Sequence, residues 1–584
     1  VYYMWDETTK SIVQAPGTGR ADKPFGRDRR KYGTLELGDI KPSLEGRWIA
    51  NTLDGEVEVT TVFELLKEEC ENYTPQMASE ITGVSPKVIE QTARVFADAQ
   101  PGMIYAGYAS CKWLHGDLLQ RAMLLMLALT GSTGKEGGGL QIANSPNARG
   151  MTQFGFSDVG PAFRLISGTT WDYDHADMKE LNSKIYGNEL AEKFDRYYKK
   201  SIEEDWFPDY SQNGWKMGIF AGNNGANWRA SGSTWRKTAF EELETIVSLA
   251  PDMGVTSLFS DYVLPIAHHY ERNDLMLQSR VPYLQVLTEA VSPLGEAVDD
   301  WEANRRLAEA ISRRAKERGI KPIQDAVDGR TIRRDYTKTL DLYTMDGRVN
   351  DSKDVAQFII NASHGIPKIS FEELSQKGIV KVEGVDNTMW DKDESPYHNE
   401  IVKSVQKKLP YETFTGRQQF YIDHEWFIEF GETLPTFKEP LEIEGYPMRM
   451  MMGHARHGIH STWRDDSFLL SLQRGEPDIY VNPDDASKRG VSDGDMIRIY
   501  NSAGEFSAMA HVSSGIQPGM LFMYHGWDPK MFKDGKNFSE VIPTGGLIKP
   551  TSMAGDYGHL GYQPLAFAPN QTYKDFTCDF EKTA

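Results

Sequence analysis

A short apolar run, Met103 to Ala106, leads into a small-residue turn, Gly107-Tyr-Ala-Ser-Cys-Lys-Trp-Leu-His-Gly-Asp117. A helix-like apolar run follows, Leu118 to Leu129, and then a glycine cluster, Gly131 to Gly139. Strand, tight turn, helix and flexible loop in this order restrict the fold more than any other feature of the chain. Such interleaving belongs to α/β proteins, whose strand-to-helix turns face the ligand side of a parallel sheet. A turn at a helix N-terminus can also hold an anion through backbone N–H groups. Lys112 and His115 lie in this turn, so gripping and chemistry are expected to be neighbours.

The signature recurs near residue 216. Met217 to Phe220 reads as a strand, followed by the polar turn Ala221-Gly-Asn-Asn-Gly225. Ile246 to Leu249 and Tyr262 to Pro265 read as further strands, so a second parallel sheet is expected. From 447 the pattern changes to short alternating strands. Met448 to Met452, Asp478 to Val481, Met496 to Tyr500, Glu505 to Val512 and Met520 to Tyr524 are separated by Gly and Asp turns. That pattern predicts a compact β-barrel.

The expected organisation runs in five parts. Residues 1–48 are connecting strands, and 49–215 form a first α/β half with a long aromatic insertion from 151. Residues 216–345 form a second α/β half, 346–440 an irregular connection, and 441–584 the barrel. Helices are expected between 60 and 99, with Thr60-Thr61 and Ser85-Pro86 as start signals. Val88, Ile89, Ala93 and Phe96 form a stripe expected to serve packing alone. Val1-Tyr-Tyr-Met-Trp-Asp6 opens in mid-pattern, so we expect a missing N-terminal part that took any targeting signal with it.

Bulk properties exclude some classes. The formal net charge of −20 argues against nucleic acid as a partner, though a local pocket can still bind small anions. The three cysteines, Cys70, Cys111 and Cys578, fit no metal or cluster spacing. No apolar run approaches the ~18 residues of a membrane span, so none is expected.

Several residues are candidates for binding or chemistry. Glycine at 131–139 serves either close ligand approach or a plain helix cap and loop. Gly222, Asn223 and Asn224 sit where a parallel strand meets its ligand crevice, although a turn alone would also use them. Asp252 could accept from a ribose hydroxyl or a guanine edge, or cap a helix. His457 and His460 could bind metal, but they lack Cys or carboxylate partners. Hydrogen bonding to a polar cofactor is the favoured reading, and no metal ligand is assigned. His268, His269 and Glu271 read as packing and capping. Lys112 must find an anion, water or a solvent channel, while His115 is a proton-transfer candidate or an ordinary hydrogen-bonded histidine.

Taken together and in order, these pieces resemble the molybdopterin oxidoreductases of the dimethyl sulfoxide reductase family. Tyr3-Met-Trp-Asp6, Ala15-Pro-Gly-Thr18, Gly107 to Asp117, Gly131 to Gly139, Tyr524-His-Gly-Trp527 and Gly555-Asp-Tyr-Gly-His-Leu560 look like its type II branch. That branch includes ethylbenzene dehydrogenase, dimethyl sulfide dehydrogenase, and selenate, chlorate, perchlorate and nitrate reductases. The resemblance implies two α/β halves around a molybdenum bis-molybdopterin guanine dinucleotide, closed over by a double-psi-like barrel. Carried over by position, Gly107, Gly222, Asn223, Asn224 and Asp252 would touch the dinucleotides from the α/β halves. Arg456, His457, His460, Ser461, Asn482, Asp485 and His559 would do so from the barrel side. Lys112 and His115 would be catalytic.

The resemblance also implies a 4Fe-4S cluster held by the missing N-terminal region. It implies an iron–sulfur β subunit, a haem b γ subunit, a small-molecule substrate, and either periplasmic or cytoplasmic residence. The expected reaction is two-electron oxygen-atom transfer, first as hydroxylation of a hydrocarbon. Phe154, Phe156, Phe163 and Trp171 would then line an apolar channel. The alternatives are reduction of an oxyanion and a cofactor-free structural homologue.

Overall fold

Polar anchors at the ends of short strands set the start of the chain. In the computed structural model, β1 (Tyr3–Asp6) and β2 (Ser11–Gln14) form an antiparallel hairpin. Buried Asp6 accepts from the N–H groups of Thr8 (3.0 Å), Thr9 (3.2 Å) and Lys41 (2.9 Å), which fixes the hairpin to the following loop. β3 (Arg47–Thr52) and β4 (Gly55–Thr60) form a second hairpin, and Trp48 stacks on Trp5 at 4.8 Å. The structure describes residues 2–583 except 18–32, 108–112, 114, 136, 142–172, 174, 176–178, 181–182, 185–186, 204–213, 229–231, 278–282, 328–329, 364–365, 383–401, 412–415, 424, 441, 473–474, 544–551, 555–562 and 567–575.

Three helices follow, Val62–Cys70, Pro75–Thr82 and Pro86–Asp98. Thr61 and Thr74 cap the first two by accepting from backbone N–H groups three residues on. Ser85 stands at the third N-cap without a side-chain bond. The stripe on this helix packs only in part, with Ile89 and Phe96 half-buried and Val88 and Ala93 exposed. The helix has no buried residue, and Val88 is 50% exposed.

β5 (Met103–Tyr105) and β6 (Gly139–Gln141) pair in parallel, with the helix Gly116–Leu129 as their crossover. Backbone geometry explains the glycine cluster between them. Gly131, Gly134, Gly137 and Gly139 all have positive φ, and a Cβ on Gly138 would collide with the Ser132 carbonyl. Part of the expected irregular insertion is regular, because Asn188–Glu203 is a helix. Its Tyr198 stacks on Tyr173 at 4.0 Å, within the core of the next layer.

That layer is a three-stranded parallel sheet, β7 (Met217–Ala221), β8 (Thr245–Ala250) and β9 (Tyr262–Pro265), in the order β7-β8-β9. Short helices at Gly225–Trp228, Gly232–Lys237 and Val255–Leu258 lie in the crossovers. The central strand β8 is buried along most of its length, as a parallel strand covered on both faces should be. Next, β10 (Asp274–Leu277), β11 (Tyr283–Leu287) and a later strand build an antiparallel sheet. β12 (Ile323–Val327) and β13 (Arg330–Arg334) form a separate hairpin. β14 (Ile379–Lys381) completes the antiparallel sheet, over a core of Leu284, Ile360 and Leu374.

β15 (Met448–Gly453), β16 (Asp478–Val481), β17 (Met496–Tyr500), β18 (Glu505–Val512) and β19 (Met520–Tyr524) match the expected strands. β20 (Ser552–Ala554) and β21 (Gln563–Ala566) pair outside the barrel. β22 (Phe576–Lys582) supplies a sixth barrel strand. The barrel closes in the order β15-β19-β16-β18-β17-β22, with β15/β19 and β16/β18 parallel. Alternate residues such as Phe506, Ala508 and Ala510 point inward. Burial pushes the Cys578 thiol well above its ordinary range, so this cysteine is a core residue.

Candidate functional site: a cleft between the second parallel sheet and the barrel

The turn after β7 is built by glycine and asparagine. Gly222 takes a left-handed φ of 58°, which a Cβ would oppose, and its N–H bonds the Leu249 carbonyl at 3.0 Å. Asn224 then spans two parts of the molecule. Its Oδ1 accepts from Thr256 N (3.0 Å) and Thr256 Oγ1 (3.1 Å). Its Nδ2 donates to Ser461 Oγ at 3.2 Å, on the loop leaving β15. One side chain therefore pins the carboxyl end of the parallel sheet to the barrel side.

A cavity of about 360 Å³ opens at this seam. Gly222, Asn223, Asn224, Asp252, Gly254 and His268 line it from the sheet, and Ser461, Trp463 and Asp465 from the loop. Burial raises the Asp252 carboxyl, nearby Asp465 adds to this, and the Gly254 N–H opposes it. The loop is conformationally strained, with positive φ at His460 (52°) and Trp463 (67°). Such strain persists only where surroundings hold it. Buried Arg464 does so by donating to the carbonyls of His460 and His525. Gly526 allows it, because a Cβ there would collide with the His460 carbonyl.

Three histidines meet beside this loop. His525 Nδ1 lies 2.6 Å from the Gly453 carbonyl, which can only accept, so Nδ1 carries the hydrogen. His525 Nε2 then accepts from His460 Nδ1 at 3.0 Å in the neutral pair. The ring of His454 is 4.7 Å from that of His460 and 4.4 Å from that of His525. Their ligand atoms lie within 4.8 Å of one another, so they present a compact polar face.

Below the cleft, Asp528 accepts from Asn227 Nδ2 at 2.9 Å. Burial pushes its carboxyl up to about 6 against the pull of Lys530, with Asp252 and Asp465 reinforcing the rise. A buried ion pair, Arg236 to Glu540 at 2.9 Å, joins the second sheet's helices to the barrel. The two walls of the cleft are thus one packed unit.

The structure gathers Gly222, Asn223, Asn224, Asp252 and Ser461 around one cavity. Arg456 and His457 are exposed on the same loop but do not line it, and His460 faces His525 instead. Asn482 and Asp485 bind barrel backbone. Asn482 caps the helix Pro483–Lys488 and donates to the Ile516 carbonyl at 2.7 Å, while Asp485 accepts from Gly519 N at 2.6 Å. Gly107 lies at the exposed end of β5. His115 is the N-cap of the helix Gly116–Leu129, away from this cavity. Lys112, His559, Phe154, Phe156, Phe163 and Trp171 lie outside the described residues. Glu271 and His268 form a capping box, as their spacing implied.

Sequence reading missed Trp463, Asp465 and Asn227 because nothing local marks them, and it read His268 as a cap without its place in the cavity lining. Gly526 and His525 had a signal in Tyr524-His-Gly-Trp527, whose role is now visible.

The cleft fits a polar dinucleotide. It combines small residues allowing close backbone approach, amide and hydroxyl partners, and a carboxylate able to meet N–H or ribose O–H donors. The molybdopterin oxidoreductase model matches residues 61–310, and the molybdopterin dinucleotide binding domain matches 448–558. The chain is 33% identical to the perchlorate reductase α subunit of Dechloromonas aromatica, over 100% of this chain and 63% of that protein. It is 31% identical to the dimethylsulfide dehydrogenase α subunit of Rhodovulum sulfidophilum, again over 100% and 63%. The respiratory nitrate reductase α subunit of Haloferax mediterranei is 33% identical over 98% of this chain and 59% of its own length. The chain thus spans about three fifths of these relatives. Acetylene hydratase from Pelobacter acetylenicus shares the fold, with a TM-score of 0.58 and 17% identity over 89% of this chain and 66% of that one. Parallel-sheet cleft, closed barrel and both matched domains together make this chain a member of the molybdopterin oxidoreductase family, among relatives of the type II α-subunit branch.

Proposed function

We propose that the chain forms much of the catalytic α subunit of a molybdenum enzyme that removes an oxygen atom from a small oxyanion. The observation that carries this reading is the likeness to perchlorate, nitrate and chlorate reductase α subunits, each at 31–33% identity over nearly the whole chain. Hydrocarbon hydroxylation, the first expectation, falls behind it, because none of these relatives acts on a hydrocarbon by name. The dimethylsulfide dehydrogenase relative supports the reverse direction, oxygen addition to a small sulfide, as the second reading.

Gly222, Asn223, Asn224, Asp252 and Ser461 would hold one guanine dinucleotide. Asp252 would accept from the base or ribose, and the Asn224 bridge would keep the cleft walls together. Gly107, Arg456, His457, His460, Asn482, Asp485 and His559 remain proposed contacts to the same cofactor. When bound, the bis-dinucleotide molybdenum group supplies the two-electron oxygen-transfer chemistry. Lys112 would hold the oxyanion by charge, and His115 would deliver a proton. A 4Fe-4S cluster, an iron–sulfur β subunit, a haem b γ subunit and periplasmic residence belong to this proposal. Among the described residues, no helix is long and apolar enough to cross a membrane.

The test uses the purified holoenzyme with a reduced viologen dye and perchlorate, chlorate, nitrate or selenate. Dimethyl sulfide and ethylbenzene are offered in parallel with an oxidised dye. Dye oxidation by an oxyanion is the expected result. Turnover of ethylbenzene alone would restore the hydroxylase reading, and absence of molybdenum and pterin would leave a scaffold.

A further inference from the structure

The segment around Glu432 is clamped to the helix that carries His115. Arg121, on that helix, donates to the carbonyls of Glu432 (2.7 Å), Thr433 (2.8 Å) and Phe420 (3.2 Å). Its guanidinium also lies over the Phe427 ring at 5.7 Å. This clamp carries Glu432 inward, where the residue is 1% exposed. Glu432 Oε1 stands 3.0 Å from Lys438 Nζ and 3.8 Å from His115 Nδ1.

Two fields therefore compete at His115. As N-cap, it sits at the positive end of a helix dipole, which disfavours an imidazolium. The buried carboxylate favours it. Among the described residues, the charged groups around the pair include Asp117 and Arg121 on the same helix and Lys438 beside Glu432. Removing the Glu432 charge leaves Arg121 and Lys438 close to the ring without that carboxylate, and an imidazolium there becomes more costly.

We propose that Glu432 is a positioning residue that holds the His115 imidazole in its protonated form, with Nδ1 toward the carboxylate, as proton donor for oxyanion reduction. The inference rests on the functional reading above. Removing one oxygen from a singly charged oxyanion XOₙ⁻ consumes two protons and two electrons and yields XOₙ₋₁⁻ and water. In this reading the His115 Nε2–H bond breaks as an O–H bond forms on the departing oxygen. A second proton comes from solvent, which also restores the imidazolium, and an external one-electron donor supplies the electrons.

The experiment measures kcat/KM against pH for holoenzyme carrying E432Q, E432D or H115Q, with reduced viologen and nitrate or perchlorate. A proton donor works below its pKa, so activity falls on the alkaline side. Removing the Glu432 charge moves that fall to lower pH by about one pH unit, close to a tenfold loss at alkaline pH. E432D recovers part of the shift, and H115Q abolishes the alkaline limb. An E432Q loss that is equal at every pH, with the limb unmoved, overturns the proposal and leaves a structural role. A wild-type enzyme that turns over no oxyanion defeats the functional reading instead. The pair is then judged by thermal unfolding, where the E432Q effect on Tm should vary with pH and lose that variation in an H115Q background. A pH-independent effect overturns the pair.

Discussion

The six-stranded barrel and the β5–β6 pair end their sheets in opposite ways. Around the barrel every strand has two neighbours, and Met450, Ile479, Ile497, Phe506 and Leu521 are fully buried inside. The β5–β6 pair has only one ladder among the described residues, and Tyr105 on it is 69% exposed. Its crossover helix is apolar on most faces, yet Leu119 and Leu129 remain open. A closed sheet satisfies its backbone and its apolar side chains by itself. A parallel pair needs layers on both faces to do the same. The cleft lies where the parallel sheet β7-β8-β9, buried along its central strand, meets the self-sufficient barrel. Its geometry is therefore held by a buried central strand on one side and a closed core on the other.

That contrast can be broken by substitution. Phe506→Ala should cost about 3–5 kcal/mol, because the closed interior cannot collapse around the void. Urea unfolding would read this loss, and a cost near zero would deny the barrel its rigid core. Gly526→Ala should cost about 2–3 kcal/mol, since the new Cβ meets the His460 carbonyl at a positive φ. Its effect should include loss of molybdenum content, measured by elemental analysis, because the strained cleft loop must move.

Asp528→Asn sharpens the view of the seam. The folded carboxyl sits at about 6, above the usual range near 3.9, so its stabilising share is full at low pH and lost as pH rises through 6. The amide can still accept from Asn227 and carries no buried charge. The variant should exceed wild type by about 2 kcal/mol above pH 6 and converge with it below about pH 4. A constant difference across pH would refute this account. On the open side, Val95→Ala should change stability by less than about 0.5 kcal/mol, since Val95 is mostly exposed and alanine favours a helix. A larger loss would show that this face is covered in solution.

Much of the architecture was legible in local pattern. Alternation located β15 to β19, and apolar runs bounded by Gly-Asn, Pro-Asp or Ser-Asp turns located β7, β8 and β9. β22 was not found, although Phe576, Cys578 and Phe580 alternate with polar neighbours. Fifty-one residues separate it from the end of β19, and no turn signal ties it to a partner. The stripe on Pro86–Asp98 was borne out only in part, with Ile89 and Phe96 half-buried, since periodicity states which face can be buried but not how fully it is covered. At the site, Asn223, Asn224 and Asp252 were readable because strand-end turns in parallel sheets face a crevice. Asn482 and Asp485 were readable only by family pattern, and their contacts here are with the barrel backbone.

The sequence by itself determined the order of layers, the parallel character of the two small sheets and the barrel class. These follow from residue periods of two and 3.6 and from turn chemistry, which act over a few residues. Only the tertiary structure decided that Ser461 meets Asn224 across 237 positions, that Glu432 lies against His115, and that three distant histidines share one face. Contacts of that kind depend on how closed and open sheets stack and on which buried polar groups find partners, and no local pattern encodes either.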